Sequence, residues 1–293
     1  MTTAARLLRE VGPDDVVALE AFLALHPETS MFLRGNLAQY GVRNSEHRYG
    51  TTYWLKGSRG VEAVVACSNG GYLMCQAPDQ GPEFWDAAAR VLAGRSVEGI
   101  TGVPDQVDAW VTALGLKIEA FAVKETEPLY RLDLEELRKP NTSDLTLRRP
   151  TPLDRGFLCK WFEGYSRDTG MRPTDGATSE AAAETFSQHD AARILALNGE
   201  PVAMTSLNAR VTDTVQIGGV YVPDVWRGRG FGGAAVALQL AELKAQGVKT
   251  AILFAANEIA AKAYERIGFN LIGEYEIALF KAPLKVEGND DVF

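Results

Sequence analysis

VYVPDVWRGRGFGG, residues Val220 to Gly233, decides how this chain is read. Val220-Tyr221-Val222 ends an apolar strand pattern at Pro223, and an Ala- and Leu-rich run from Phe231 to Gln246 reads as a helix stopped by Gly247. Between strand and helix stand Arg227, Gly228, Arg229 and Gly230, with Gly232 and Gly233 opening the helix behind Phe231. Glycine permits positive φ, so consecutive backbone N–H groups can converge on one ligand. At a helix N-terminus those N–H groups lack intrahelical acceptors and meet the positive end of the helix dipole. The two arginines add charge-assisted hydrogen bonds. The stretch reads as a cradle for a phosphate or pyrophosphate.

Gly228, Gly230 and Gly233 also satisfy the dinucleotide fingerprint G-x-G-x-x-G. That fold needs the strand to run straight into the first glycine and an acidic residue about 20 residues on. Here Pro223 to Arg227 intervene, and Val248 to Phe254 contains no acid. No Gly-Lys-Ser/Thr follows, so a P-loop is excluded. Further on, Asn257 is followed by Ala260, Tyr264, Gly268 and Phe269. The strand, the set Arg227, Gly230 and Gly232 (Arg-x-x-Gly-x-Gly), and this second set at that separation resemble the signatures of the GCN5-related N-acetyltransferases, the GNAT family. The resemblance covers residues 144–281 well and residues 1–137 in outline.

The resemblance implies transfer of acetyl from acetyl-CoA to a primary amine, by direct attack through a tetrahedral intermediate. The pyrophosphate of coenzyme A would lie on Arg227, Gly228, Arg229, Gly230, Phe231, Gly232 and Gly233. The amide-rich pantetheine arm would pair with the backbone of Val220, Tyr221 and Val222, as a peptide adds to an open strand edge. A backbone N–H of that strand would stabilise the oxyanion. Asn257 would hydrogen-bond the arm or cap its own helix, two compatible roles. Tyr264 would protonate the departing thiolate; with phenol near ~10 and thiol near ~8.5 the transfer is mildly uphill. Its alternative is an ordinary aromatic on an apolar helix face. An attacking amine must lose a proton, and some relatives carry a Glu on the strand before the loop. This chain reads Thr212-Asp213-Thr214-Val215-Gln216-Ile217-Gly218-Gly219 there, which leaves Glu274, Glu276, Asp213 and a water chain open as proton acceptors.

Beyond the loop, 293 residues (31.8 kDa), 46% hydrophobic and 23% charged, suit two globular units and exclude disorder as the main state. A net charge of −8 disfavours a nucleic-acid binder, because phosphate affinity comes from clustered Lys and Arg. No apolar run approaches the ~18 residues of a membrane span. Arg6, Arg9 and Glu10 stand where a signal peptide would need its apolar centre. A cytoplasmic protein acting on a small-molecule or peptide amine, as monomer or homodimer, is the expectation. Cys67, Cys75 and Cys159 are too few and scattered for a disulfide framework, and His26, His47 and His189 lack metal spacing. Trp161, Phe162 and Tyr165 read as core packing or as the lining of an apolar pocket. A non-catalytic acyl-CoA sensor or scaffold, and a tRNA-dependent aminoacyl transferase on the same doubled fold, are the alternatives.

The turn chemistry of Arg138 to Asp144 (RKPNTSD) predicts a seam between lobes at 1–140 and 144–293. The halves echo each other. A shift of 139 places Arg9 on Arg148, Pro13 on Pro152 and Asp15 on Asp154, and TALGLKIEAFAV from Thr112 matches ERIGFNLIGEYEI from Glu265. The expected architecture is α/β: two tandem GNAT-like lobes, each a mostly antiparallel twisted sheet flanked by helices. Asn198-Gly199 predicts a hairpin between Arg193–Leu197 and Val202–Leu207. His26-Pro27 predicts a break in a helical stretch from Val16 to Tyr40. In the first lobe, Asp79 to Gly94 contains no Arg-x-x-Gly-x-Gly, and Val111 stands opposite Tyr264. That lobe is expected to be degenerate, with one coenzyme bound per chain.

Overall fold

Both aligned Arg–Asp pairs close the same local structure in the computed structural model, which describes residues 7–141, 143–170 and 178–287. Arg9 meets Asp15 through two hydrogen bonds of 2.7 and 2.6 Å, and Arg148 meets Asp154 through two of 2.7 Å. Each carboxylate also accepts from a backbone N–H three residues earlier, that of Gly12 or Thr151. The hydrogen bonds from Arg9 hold the Asp15 carboxyl down at about 2, and Arg148 lowers Asp154 in the same way. A 3-10 turn begins at the proline in both places, and a helix follows.

The chain divides into two compact units, Met1–Glu127 with Glu274–Phe293, and Pro128–Gly273. The first opens with β1 (Arg9–Glu10), α1 (Val16–Leu23) and α2 (Met31–Tyr40), the helices parted near His26-Pro27 as expected. Then come β2 (Thr51–Lys56), β3 (Ala63–Ser68), β4 (Tyr72–Gln76), α3 (Pro82–Val91), β5 (Ser96–Gly102) and α4 (Pro104–Ala113). β6 (Phe121–Asp133) crosses the division. The second unit repeats the order with β7 (Leu145–Arg148), α5 (Arg155–Thr169), α6 (Ser179–Gln188), β8 (Arg193–Leu197), β9 (Glu200–Arg210) and β10 (Thr214–Tyr221). It continues through α7 (Phe231–Ala245), β11 (Thr250–Phe254) and α8 (Glu258–Arg266) to β12 (Asn270–Lys285).

Strand pairing is equally repetitive. β1 to β4 and β7 to β10 each form consecutive antiparallel pairs, while β4–β5 and β10–β11, joined through α3 and α7, are the parallel ones. The fold is therefore a doubled α/β arrangement of mostly antiparallel sheet. The compact units differ from the lobes expected at 1–140 and 144–293. β11 takes its second neighbour from β6 (Ile252↔Arg131), and β5 takes its own from β12 (Ile277↔Thr101). Each sheet is thus closed by a strand from the other half of the sequence, a non-local choice that the turn at Arg138–Asp144 cannot encode.

In the second unit, Val215 and Ile217 of β10 face the core made with Val236, Leu240 and Leu243 of α7 and Tyr264 of α8. On the other face, Leu158, Trp161 and Phe186 of α5 and α6 pack over Ile194, Met204 and Tyr221. Each of these side chains gains about 1.5–3 kcal/mol on burial. Asn198 (φ +50°) and Gly199 (φ +88°) form the β8–β9 turn, the two positive φ values that a type I′ hairpin requires. Among the described residues, no helix is long and apolar enough to cross a membrane, and no group of three or more His, Cys, Asp or Glu is placed to hold a metal ion.

Candidate functional site

β10 is irregular where the sequence reading needs it to be. Its ladder with β11 runs from Thr214↔Thr250 to Gln216↔Ile252 and ends there, although β10 continues to Tyr221. On the β9 side, Gly218 pairs with Ser206 and Tyr221 with Met204, so Gly219 and Val220 together oppose Thr205. That is a β-bulge, with Gly219 at φ +62°. The two strands part beyond Gln216, and Ile217 to Tyr221 have no ladder partner towards β11. An open edge of main-chain donors and acceptors results.

The chain then turns at Asp224–Trp226 and enters α7. The N–H groups of Trp226 and Arg227 are used in that turn, on the carbonyls of Pro223 and Asp224. The first α7 bond across the helix start is Ala234 N–H to Gly230 O, 3.0 Å. Those of Gly228 through Gly233 have no protein acceptor among the described residues, so six consecutive amides around a helix N-terminus are free.

The four glycines divide the work. Gly228 (φ +75°) and Gly230 (φ +81°) hold the left-handed conformation, and a Cβ on either would meet no described residue within 4 Å. At Gly232 a Cβ would make ordinary contact with Val222 and Val220, at 3.5 and 3.8 Å. At Gly233 it would come within 3.1 Å of the Ala263 carbonyl oxygen, so this glycine lets α7 approach α8 beside Tyr264. Gly232→Ala is therefore expected to keep wild-type stability and coenzyme affinity. Gly233→Ala is expected to cost about 1 kcal/mol by overpacking and to lower the melting temperature by about 2–4 °C. Thermal unfolding with a coenzyme A titration measures both.

The arginines part company. Arg227 donates from Nε to the Val222 carbonyl (3.0 Å), pairs with Asp168 of α5 and with Asp224 (2.9 Å), and lies over the Tyr221 ring. Burial alone would raise Asp168, but Arg227 and Arg167 beside it hold its carboxyl below the usual range. Arg227, placed on the pyrophosphate by the sequence reading, is thus committed to fastening the loop to β10 and α5, with its N–H used as well. Sequence reasoning missed Asp168 because it lies 59 residues away along the chain. Arg229 is exposed, stacks at 4.9 Å over Trp226, and has no ion pair among the described residues. It is the loop's available cation.

Tyr221 sends its ring across the sheet towards α5, where a Cβ on Gly164 would collide with its hydroxyl. Trp161 and Tyr165 flank it at 6.3 and 6.5 Å, so these residues pack β10 against α5. Asn257 caps α8, its Oδ1 accepting from Ala260 N–H at 3.0 Å, which leaves its Nδ2 for another partner. Tyr264 follows seven residues later, about two turns along the same side of the helix. It is 7% exposed and its ring stands edge-on to Phe269. Of the open proton acceptors, Asp213 lies at the far end of β10 from the loop, where its backbone carbonyl holds Lys249 and Thr250. Glu276 is bound by Lys124 (2.6 Å) and Thr126 in the first unit, and Glu274 is exposed on β12. Asp213 therefore does not stand at the loop as a free base.

Residues 157–269, spanning α5 to the end of α8, match the family model described as Acetyltransferase (GNAT) family. The chain carries a GNAT domain. No curated protein matches the sequence. Solved structures extend the likeness to both units. A GCN5-related N-acetyltransferase from Sphaerobacter thermophilus shares 15% identity over 99% of each chain, with a TM-score of 0.57. A tandem GNAT protein from the clavulanic acid biosynthesis pathway shares 14% over 97% of this chain and 100% of its own (TM-score 0.56). A GNAT-family acetyltransferase from Colwellia psychrerythraea shares 12% over 94% and 99% (TM-score 0.54). At these identities the likeness is one of fold. In the first unit, the connection matching the GNAT loop is Ala77 to Gly81, between β4 and α3, and Pro82 at the start of α3 removes one N–H. Val111 on α4 takes the place of Tyr264.

Proposed function

We propose that the second unit binds acetyl-CoA and transfers its acetyl group to a primary amine, on a small molecule or a peptide, in the cytoplasm. The observation that carries this reading is the run of free amides from Gly228 to Gly233, set beside a strand edge that β11 leaves unpaired. Those amides and Arg229 fit a diphosphate, and the edge at Gly218–Tyr221 fits an amide-rich arm. Bound acetyl-CoA supplies a thioester carbonyl open to direct attack by a neutral amine. A β10 N–H would polarise that carbonyl and Asn257 would orient the arm; the Tyr264 hydroxyl would give a proton to the leaving sulfur, and the proton lost by the amine would pass to water, which restores the Tyr264 hydroxyl. The first unit has no such loop and serves as a degenerate partner domain. Titration calorimetry should find one acetyl-CoA per chain, and amine screening should release CoA thiol. Two equivalent sites, or micromolar NADH binding at the loop, would overturn the reading.

A further inference from the structure

Among the described residues, the buried glutamines are paired, with one exception. Gln76 accepts from Thr29 and Ser30, Gln106 accepts from Ala77 N–H, and Gln239 joins Thr205 to the Ala191 carbonyl. Gln216 has no exposed surface, and neither its Oε1 nor its Nε2 has a hydrogen-bond partner. Leaving both ends of a buried carboxamide unmet is costly, and native proteins seldom do it without a use. Its place is also singular. Gln216↔Ile252 is the last rung of the β10–β11 ladder, so the side chain stands where the two strands part.

The pleat sets which way it faces. Val215 and Ile217 belong to the α7–α8 core, so Gln216 points to the opposite face, together with Gly218. Gly218 has no side chain to close that face, and the amide of the exposed Asn208 lies across it. Ser206, opposite Gly218, is half-buried and holds the ring of His189 at 3.3 Å. The polar groups of Ser206, His189 and Asn208 thus share the Gly218 side of the sheet with the unpaired carboxamide.

We infer that Gln216 is a specificity-determining contact for the acceptor, and that the acceptor carries an oxygen next to its amine, as in an amino alcohol or an amino sugar. This inference rests on the acetyltransferase reading. A carboxamide offers an acceptor and donors side by side. An amine whose lone pair is committed to attack can satisfy only Oε1, whereas an adjacent hydroxyl or carbonyl oxygen also satisfies Nε2. A site built to hydrogen-bond a substrate oxygen discriminates strongly against the analogue lacking it. As an amide, Gln216 binds and orients without taking the amine's proton.

The test compares matched probes by CoA-thiol release: ethanolamine against n-propylamine, and 2-aminocyclohexanol against cyclohexylamine. Wild-type protein should prefer the oxygen-bearing member by at least about tenfold in kcat/KM. In Gln216→Leu, or Gln216→Met should the first variant misfold, that preference should fall towards unity while acetyl-CoA affinity stays within about twofold. Comparing wild type with variant cancels the difference in basicity between the amines. Equal turnover of each pair by the wild type, no turnover of any of the four, or a preference that survives in the variant would overturn the inference. A merely structural amide would shift the melting temperature and leave the ratio alone. Failure of acetyl-CoA to bind wild-type protein, measured separately by calorimetry, would instead overturn the acetyltransferase reading.

Discussion

Gly230→Glu should abolish acetyl-CoA binding and leave the domain folded. Gly230 sits at φ +81° with no described residue within 4 Å of a Cβ, so the new side chain projects into open space at the free amides. Backbone strain from an L-residue in this conformation costs about 1–2 kcal/mol. Charge costs more. A carboxylate about 4 Å from one phosphate charge near a protein surface is repelled by about 4 kcal/mol, and a diphosphate carries two such charges. Each 1.4 kcal/mol is about tenfold in affinity, so binding should weaken by several orders of magnitude. Gly230→Ala separates the contributions: it carries the strain alone and should lose no more than about 30-fold. Calorimetric titration of both variants measures this, with far-ultraviolet circular dichroism to check the fold. Wild-type affinity in Gly230→Glu would remove the loop from the coenzyme site.

The loop was legible because its chemistry is local. Positive φ at Gly228 and Gly230, a helix start at Phe231 and a cap at Asn257 all follow from residue types within a few positions of one another. The doubling was legible for the same reason: Arg9–Asp15 and Arg148–Asp154 close identical six-residue steps. Features set by distant partners were not. Arg227 reads as a phosphate ligand until Asp168 is brought to it by the end of α5, and Gly233 reads as a fourth loop glycine until Ala263 is seen against it. β12 reads as the last strand of the 144–293 lobe, yet only Tyr275–Phe280 within it is mostly buried, and that short run does not specify which sheet it joins. Gln216 gave no signal, since an unpaired amide is a property of its surroundings and not of its neighbours in sequence.

Tyr264→Phe should lower kcat for acetyl transfer by about 10²-fold or more and leave acetyl-CoA affinity within about twofold. The substitution is chosen for what it keeps. Tyr264 packs with Ala261, Ile267 and Phe269 on the core side of α8, and phenylalanine preserves that ring and its edge-on contact. Only the hydroxyl is lost. If the hydroxyl protonates the leaving sulfur, turnover falls while binding, carried by the amides of Gly228–Gly233, does not. The expected loss lies at the low end of general-acid effects because a thiolate, with a conjugate acid near ~8.5, departs far more readily than an alkoxide. A packing role predicts the reverse: unchanged kcat with a small shift in melting temperature. The position of the residue favours the first outcome. Gly233 brings the start of α7 against Ala263, so the residue next in sequence stands beside the helix that begins at the free amides. Pre-steady-state release of CoA thiol from saturated enzyme reads the chemical step directly. Wild-type rates in that experiment would strip Tyr264 of its role and return the unit to an acyl-CoA-binding domain without a proton donor.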